Sequence, residues 1–104
     1  MKEYCIVFST TRTQYDAECI INHVLDEELV ASIQTIPINT YKKENGSYRA
    51  VSEILMIFKT KCNLYKDLER VILEWNGNEC PEIVVTDIET GLTKYLQWID
   101  SSVN

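Results

Sequence analysis

From Tyr48 to Thr60 the chain reads YRAVSEILMIFKT. Ser52, Ile54, Met56 and Phe58 alternate with Glu53, Leu55, Ile57 and Lys59, and between Ile54 and Phe58 both parities are apolar. Successive side chains of a strand point to opposite faces, so this pattern marks a central strand covered on at least part of both faces. A strand of this length outreaches ordinary neighbours. Its projecting end needs a partner, and in a small protein another copy of the chain can supply one.

The flanking sequence supplies elements of matching size. Tyr4 to Phe8 is a compact apolar strand, followed by the polar STTRT of residues 9 to 13. Thr13 and Asp16 fit a capping box that opens an amphipathic helix over residues 14 to 28, with Ala17, Ile20, Ile21, Val24 and Leu25 as its stripe. Val30 to Ile38 reads as a second strand, with Pro37 indicating an edge or a bulge because it cannot donate to a ladder. Asn39 to Ser47 carries turn signals, above all Asn45-Gly46. Asn63 is placed to cap a second helix whose Leu64, Leu68, Val71, Ile72 and Trp75 share a face, and Asn76-Gly77 closes it. Ile83 to Thr86 forms a fourth strand, and Gly91 precedes a terminal helix bearing Leu92, Tyr95, Leu96 and Ile99.

The order β-α-β-β-α-β plus a tail helix predicts a single α+β domain, residues 1 to 104, of the ferredoxin-like sandwich type. With both main helices on one face, the other face of a sheet containing Ile54 to Phe58 is left apolar, which implies association into a closed oligomer. Sixteen acidic residues against ten basic ones, a net charge of -6, argue against a nucleic-acid partner and favour cations as guests. No apolar leader precedes the first strand, and the longest apolar run is far below the roughly 20 residues that span a bilayer. The expectation is a cytoplasmic protein with no membrane partner, whose Cys5, Cys19, Cys62 and Cys80 are reduced thiols.

An ordered set of residues runs through these elements. It comprises Thr10, Ala17, Leu29-Val30-Ala31-Ser32, the Pro37 region, Glu53 with Lys59-Thr60, Pro81-Glu82-Ile83, Gly91 and Tyr95-Leu96-x-Trp98-Ile99. Over nearly the whole chain this set resembles the CutA family of divalent-cation tolerance proteins. The resemblance implies a ferredoxin-like homotrimer and a role in tolerance of copper or another divalent cation, by direct binding or by an indirect response to metal. It also implies a cleft between subunits, for which Tyr41, Lys42, Lys43, Glu53, Lys59 and Glu82 are the candidate lining residues, with Asp87 and Glu89 grouped beside Glu53 and Glu82. The chain departs from the family pattern at Ser9 and Ser32, where cysteines are common, and at Asn76-Gly77-Asn78, where a His-Pro-Tyr is common. The cysteine and histidine invoked for copper in the family therefore do not transfer. Tyr41 is retained in the hairpin, but Lys42, Lys43 and Glu44 replace aromatic residues.

Metal candidates within this chain are Cys62, Cys80, Glu82 and Asp87, with Cys62 and Cys80 at opposite ends of the second helix and able to share an ion only across subunits. His23 reads as a boundary residue of the first helix. Trp75 is expected to pack the second helix on the sheet, and Tyr95 with Trp98 to anchor the tail helix, within the chain or over a neighbouring subunit. No histidine spacing connects to a serine nucleophile, and the glycines form no phosphate loop, so a non-enzyme is expected. The competing expectation is a trimeric signalling sensor or scaffold whose clefts near Lys42, Lys43 and Lys59 receive a small anion, a nucleotide or a protein partner's loop. It rests on analogy with trimeric PII-type proteins.

Overall fold

A computed structural model describes residues 3–104. The chain forms β1 (Tyr4–Thr11), α1 (Gln14–Asp26), β2 (Ser32–Glu44), β3 (Ser47–Lys61), α2 (Tyr65–Trp75), β4 (Ile83–Asp87) and α3 (Thr93–Ser102), with a single 3₁₀ turn at Cys62–Leu64. The four strands make one antiparallel sheet in the order β2-β3-β1-β4. This is the ferredoxin-like arrangement expected from the element order. Pro37 lies on β2, an outer strand, the place in a sheet where a residue without an N–H is tolerated.

Register assigns the faces. Cys5, Val7 and Ser9 of β1 oppose Thr60, Phe58 and Met56 of β3. With Ala17, Ile20 and Val24 of α1 and Leu68, Val71 and Ile72 of α2, the apolar members of this set are fully buried in one core. Buried hydroxyls on this face are satisfied locally: Ser9 donates to the Glu82 carbonyl at 2.7 Å and Thr60 to the Leu29 carbonyl at 2.6 Å. On the opposite face Phe8 pairs with Ile57 and Val84, and Leu55 with Ile36. Ile36 and Val84 stay exposed, so this face carries an apolar strip that α1 and α2 do not cover.

β3 pairs with β1 only from Ile54 to Lys61, whereas its pairing with β2 runs from Ser47 to Lys59. Residues 38–53 therefore project as a two-stranded arm, in a molecule with extents of 47 × 26 × 21 Å. The segment 39–44, read from sequence as turn, is strand; only Asn45 and Gly46 turn, with φ of 51° and 80°. Positive φ at both central residues defines the hairpin turn whose twist matches paired strands.

Two further expectations, for Asn63 and Trp75, are corrected. Asn63 does not cap α2: the 3₁₀ turn leads into it, and Leu64 stands at the cap without a side-chain bond. Trp75 does not pack α2 on the sheet but lies 38 % exposed, stacked on His23 of α1 at 4.1 Å between ring centroids. The tail helix is held in its own chain by Ile99, which is fully buried, and by an ion pair of 2.8 Å from Lys61 to Asp100. Tyr95 and Trp98 stack on one another at 5.7 Å and remain partly exposed. Among the described residues no helix is long and apolar enough to cross a membrane.

Candidate functional site

The C-terminal end of β1, the root of the arm and the loop before β4 meet at one end of the sheet. Between them lies a cleft of about 470 Å³ lined by Thr10, Arg12, Thr40, Lys42, Glu53, Asn78, Glu79, Cys80 and Glu82. The loop that delivers Asn78 to Glu82 is fixed from below. Asn76 donates from Nδ2 to the Thr10 carbonyl at 2.9 Å and accepts from the Asn78 N–H at 2.9 Å. Gly77 allows a close approach to α1, since a Cβ there would stand 2.7 Å from Asp16 Oδ2. A second, smaller cavity of about 230 Å³ shares Arg12 and Glu53 with the cleft and extends along Pro37 to Asn39.

The structure thus brings together three of the six cleft residues expected from sequence: Lys42, Glu53 and Glu82, with Cys80 from the metal candidates. Tyr41 and Lys43 share the arm with Lys42 but alternate to its other side. Lys59 lies six positions along β3 from Glu53, about 20 Å at strand rise, and donates to Gln34 Oε1 at 2.5 Å. Cys62 and Asp87 form a separate pair at the other end of the sheet, 3.6 Å apart. Arg12, Thr40 and Glu79 were not singled out from sequence, and Asn78 was named only as a departure from the family pattern. Arg12 and Glu79 lie in polar connections, and their meeting depends on topology rather than on spacing.

Three carboxylates, two cationic side chains and one exposed thiol make the cleft mildly acidic. Carboxylates suit hard cations, and the Cys80 sulfur adds a soft donor. Among the described residues no three His, Cys, Asp or Glu side chains converge closely enough to hold a metal ion. One subunit therefore offers donors without a closed coordination shell. The cleft opens toward the uncovered face, since Thr10 follows Phe8 on that side of β1 and Glu82 precedes Val84 by two.

The split β-α-β topology and the projecting hairpin define a ferredoxin-like protein with an appended helix. Within that class the family is shown by sequence: the profile described as "CutA1 divalent ion tolerance protein" matches residues 5–102, and the chain belongs to this family. The chain is similar to "Divalent-cation tolerance protein CutA" of Archaeoglobus fulgidus, with 28% identity over 97 residues that cover 93% of this chain and 95% of that protein. It is 26% identical over 98 residues to "Protein CutA, chloroplastic" of Arabidopsis thaliana, covering 93% of this chain but only 54% of that longer protein. Among solved structures, the Archaeoglobus fulgidus CutA protein superposes with a TM-score of 0.91 at 27% identity, covering 97% of this chain and 99% of that one. CutA from Xylella fastidiosa superposes with a TM-score of 0.92 at 22% identity, covering 99% and 100%, a likeness of fold.

Proposed function

We propose that this chain acts in the cytosol as a non-catalytic homotrimer for divalent-cation tolerance, and that it takes up copper or another divalent cation at the arm-root cleft once a neighbouring subunit completes it. The observation that carries this reading is the continuity of the cleft with the apolar strip around Phe8, Ile57 and Val84. A second copy placed over that strip removes apolar surface from water, and the same contact brings its own side chains to the open side of Glu53, Cys80 and Glu82. Family membership supports the cation role, as does the acid surplus of the cleft.

The test is sedimentation equilibrium followed by calorimetric titration of reduced, metal-stripped protein with copper, zinc and magnesium. The expected result is a trimer that binds at least one of these ions saturably, with binding weakened by Glu82→Gln and by Cys80→Ser. A stable monomer, or a trimer that releases no heat with any of the three, overturns the proposal. Arg12 and Lys42 favour a second reading, in which the cleft of a sensor or scaffold receives a small anion, a nucleotide or a partner loop. Micromolar anion binding lost in Lys42→Ala, without metal binding, selects it.

A further inference from the structure

Away from the cleft, where β1 begins and β3 and β4 end, three side chains converge. Cys5 stands directly opposite Asp87 of β4 and next to Thr60 of β3, on the helix-covered face. Cys62 follows β3 by one residue, and its N–H donates to the Glu3 carbonyl at 2.8 Å, which carries the ladder one step further. Its side chain therefore falls on the same face as Thr60, diagonal to Cys5. The Cys62 Sγ donates to Asp87 Oδ1 at 3.6 Å, and Asp87 is the β4 residue directly across from Cys5, so both thiols neighbour one carboxylate. Cys5 is fully buried and Cys62 is half-buried, whereas Cys19 on α1 and Cys80 in the cleft lie elsewhere.

We infer that Cys5 and Cys62 are an oxidisable pair, with Cys62 the point of entry for a peroxide, Cys5 the resolving thiol, and an intrachain disulfide the product. The balance is complete with one peroxide. The Cys62 sulfur attacks a peroxide oxygen, the O–O bond breaks, and the hydroxide that leaves takes up the thiol proton as water. Cys5 sulfur then attacks the Cys62 sulfenic sulfur; the S–S bond forms, the S–O bond breaks, and a second water leaves. The two thiols supply the two electrons that reduce the peroxide. Side-chain rotation and slight closure of the 3₁₀ turn that begins at Cys62 bring the sulfurs together.

The surroundings set the pace. Burial pushes the Cys5 thiol up to about 12, and burial also raises the Cys62 thiol, with the Asp87 carboxylate adding to the rise. Little thiolate is present near neutrality, so oxidation is slow. For the same reason each thiol is a poor leaving group, so the disulfide once made is slow to reduce. The pair therefore behaves as a latent staple between β1 and the end of β3.

The experiment treats the full chain carrying Cys19→Ser and Cys80→Ser with hydrogen peroxide, blocks remaining thiols and maps the peptides. The wild-type chain is mapped in parallel in case the double variant folds poorly. Expected are a linked pair of peptides holding Cys5 and Cys62, a raised urea midpoint that dithiothreitol returns to its starting value, and faster linkage in Asp87→Asn. Cys62 found as sulfinic acid beside a free Cys5, or linkage only between chains, overturns the inference. So does a folded chain whose two thiols stay unreacted under conditions that link them in urea.

Discussion

Glu28 shows how a single residue can hide a structural device. It adopts φ of 55° just after α1, and its N–H bonds the Leu25 carbonyl at 3.0 Å while the Leu29 N–H bonds the Val24 carbonyl at 3.0 Å. These two bonds form a Schellman helix end, in which the left-handed position is ordinarily glycine. Glutamate there carries a backbone cost and places negative charge at the negative pole of the helix. Glu28→Gly is expected to raise the stability by about 1 kcal/mol in urea denaturation. The other end of α1 was legible: Thr13 Oγ1 accepts from the Asp16 N–H at 3.1 Å, and Thr13→Ala should cost about 1 kcal/mol by the same measurement. The start was readable because a threonine names its own role, and the finish was not because glutamate does not.

Titration belongs to the same scale. Burial pushes Cys5 up from 9.0 and Tyr65 up from 10.0, each to about 12, and for Tyr65 the hydrogen bond to Glu69 at 2.8 Å adds to the effect. Both groups hold their protons more tightly when folded, so between pH 9 and 12 the native state binds more protons than the unfolded chain. Stability from this source is complete below pH 9 and is lost as pH rises toward 12. Urea midpoints measured at rising pH should fall across this window, and Cys5→Ala should flatten the early part of the fall.

At the scale of elements, the arm and α2 divide what sequence could and could not say. Asn45-Gly46 named the turn, but Lys42, Lys43 and Glu44 have no apolar alternation, so the strand around them becomes evident only from pairing with residues 47–49. Gly46 has open space where a Cβ would go, so Gly46→Ala costs only backbone strain, about 1 kcal/mol, with no steric clash. In α2 the apolar stripe was read correctly for Leu68, Val71 and Ile72, yet periodicity could not tell that Trp75 reaches sideways to His23 instead of inward. Its partial exposure reduces its weight. Trp75→Ala should cost about 1–2 kcal/mol, less than the 3–5 kcal/mol expected for Phe58→Ala in the core.

For the whole molecule, the apolar strip opposite α1 and α2 is the surface on which the proposed assembly rests. Ile57 sits in the apolar strip beside Phe8 on the face the core does not need. In the proposed trimer, Ile57→Glu should leave a folded chain with near-native circular dichroism and shift sedimentation toward single subunits. Glu53 and Glu82 were named from sequence through the family resemblance, and both line the cleft. Its composition did not follow. Arg12 and Glu79 are remote in sequence and meet only because the β1 exit and the loop before β4 end at the same edge of the sheet.

The arm between residues 38 and 53 has no third strand beside it, so its alignment is held only by β2, β3 and the tight turn joining them. Side chains there alternate between two sides, with Lys42 turned to the cleft and Tyr41 and Lys43 turned away. Loss of one residue between Ile38 and Lys42 would exchange these neighbours and put an aromatic ring or the wrong lysine where Lys42 now stands. A homologous chain can therefore lengthen or shorten this arm between its root and Lys42 without inverting its chemistry only in steps of two residues on each strand.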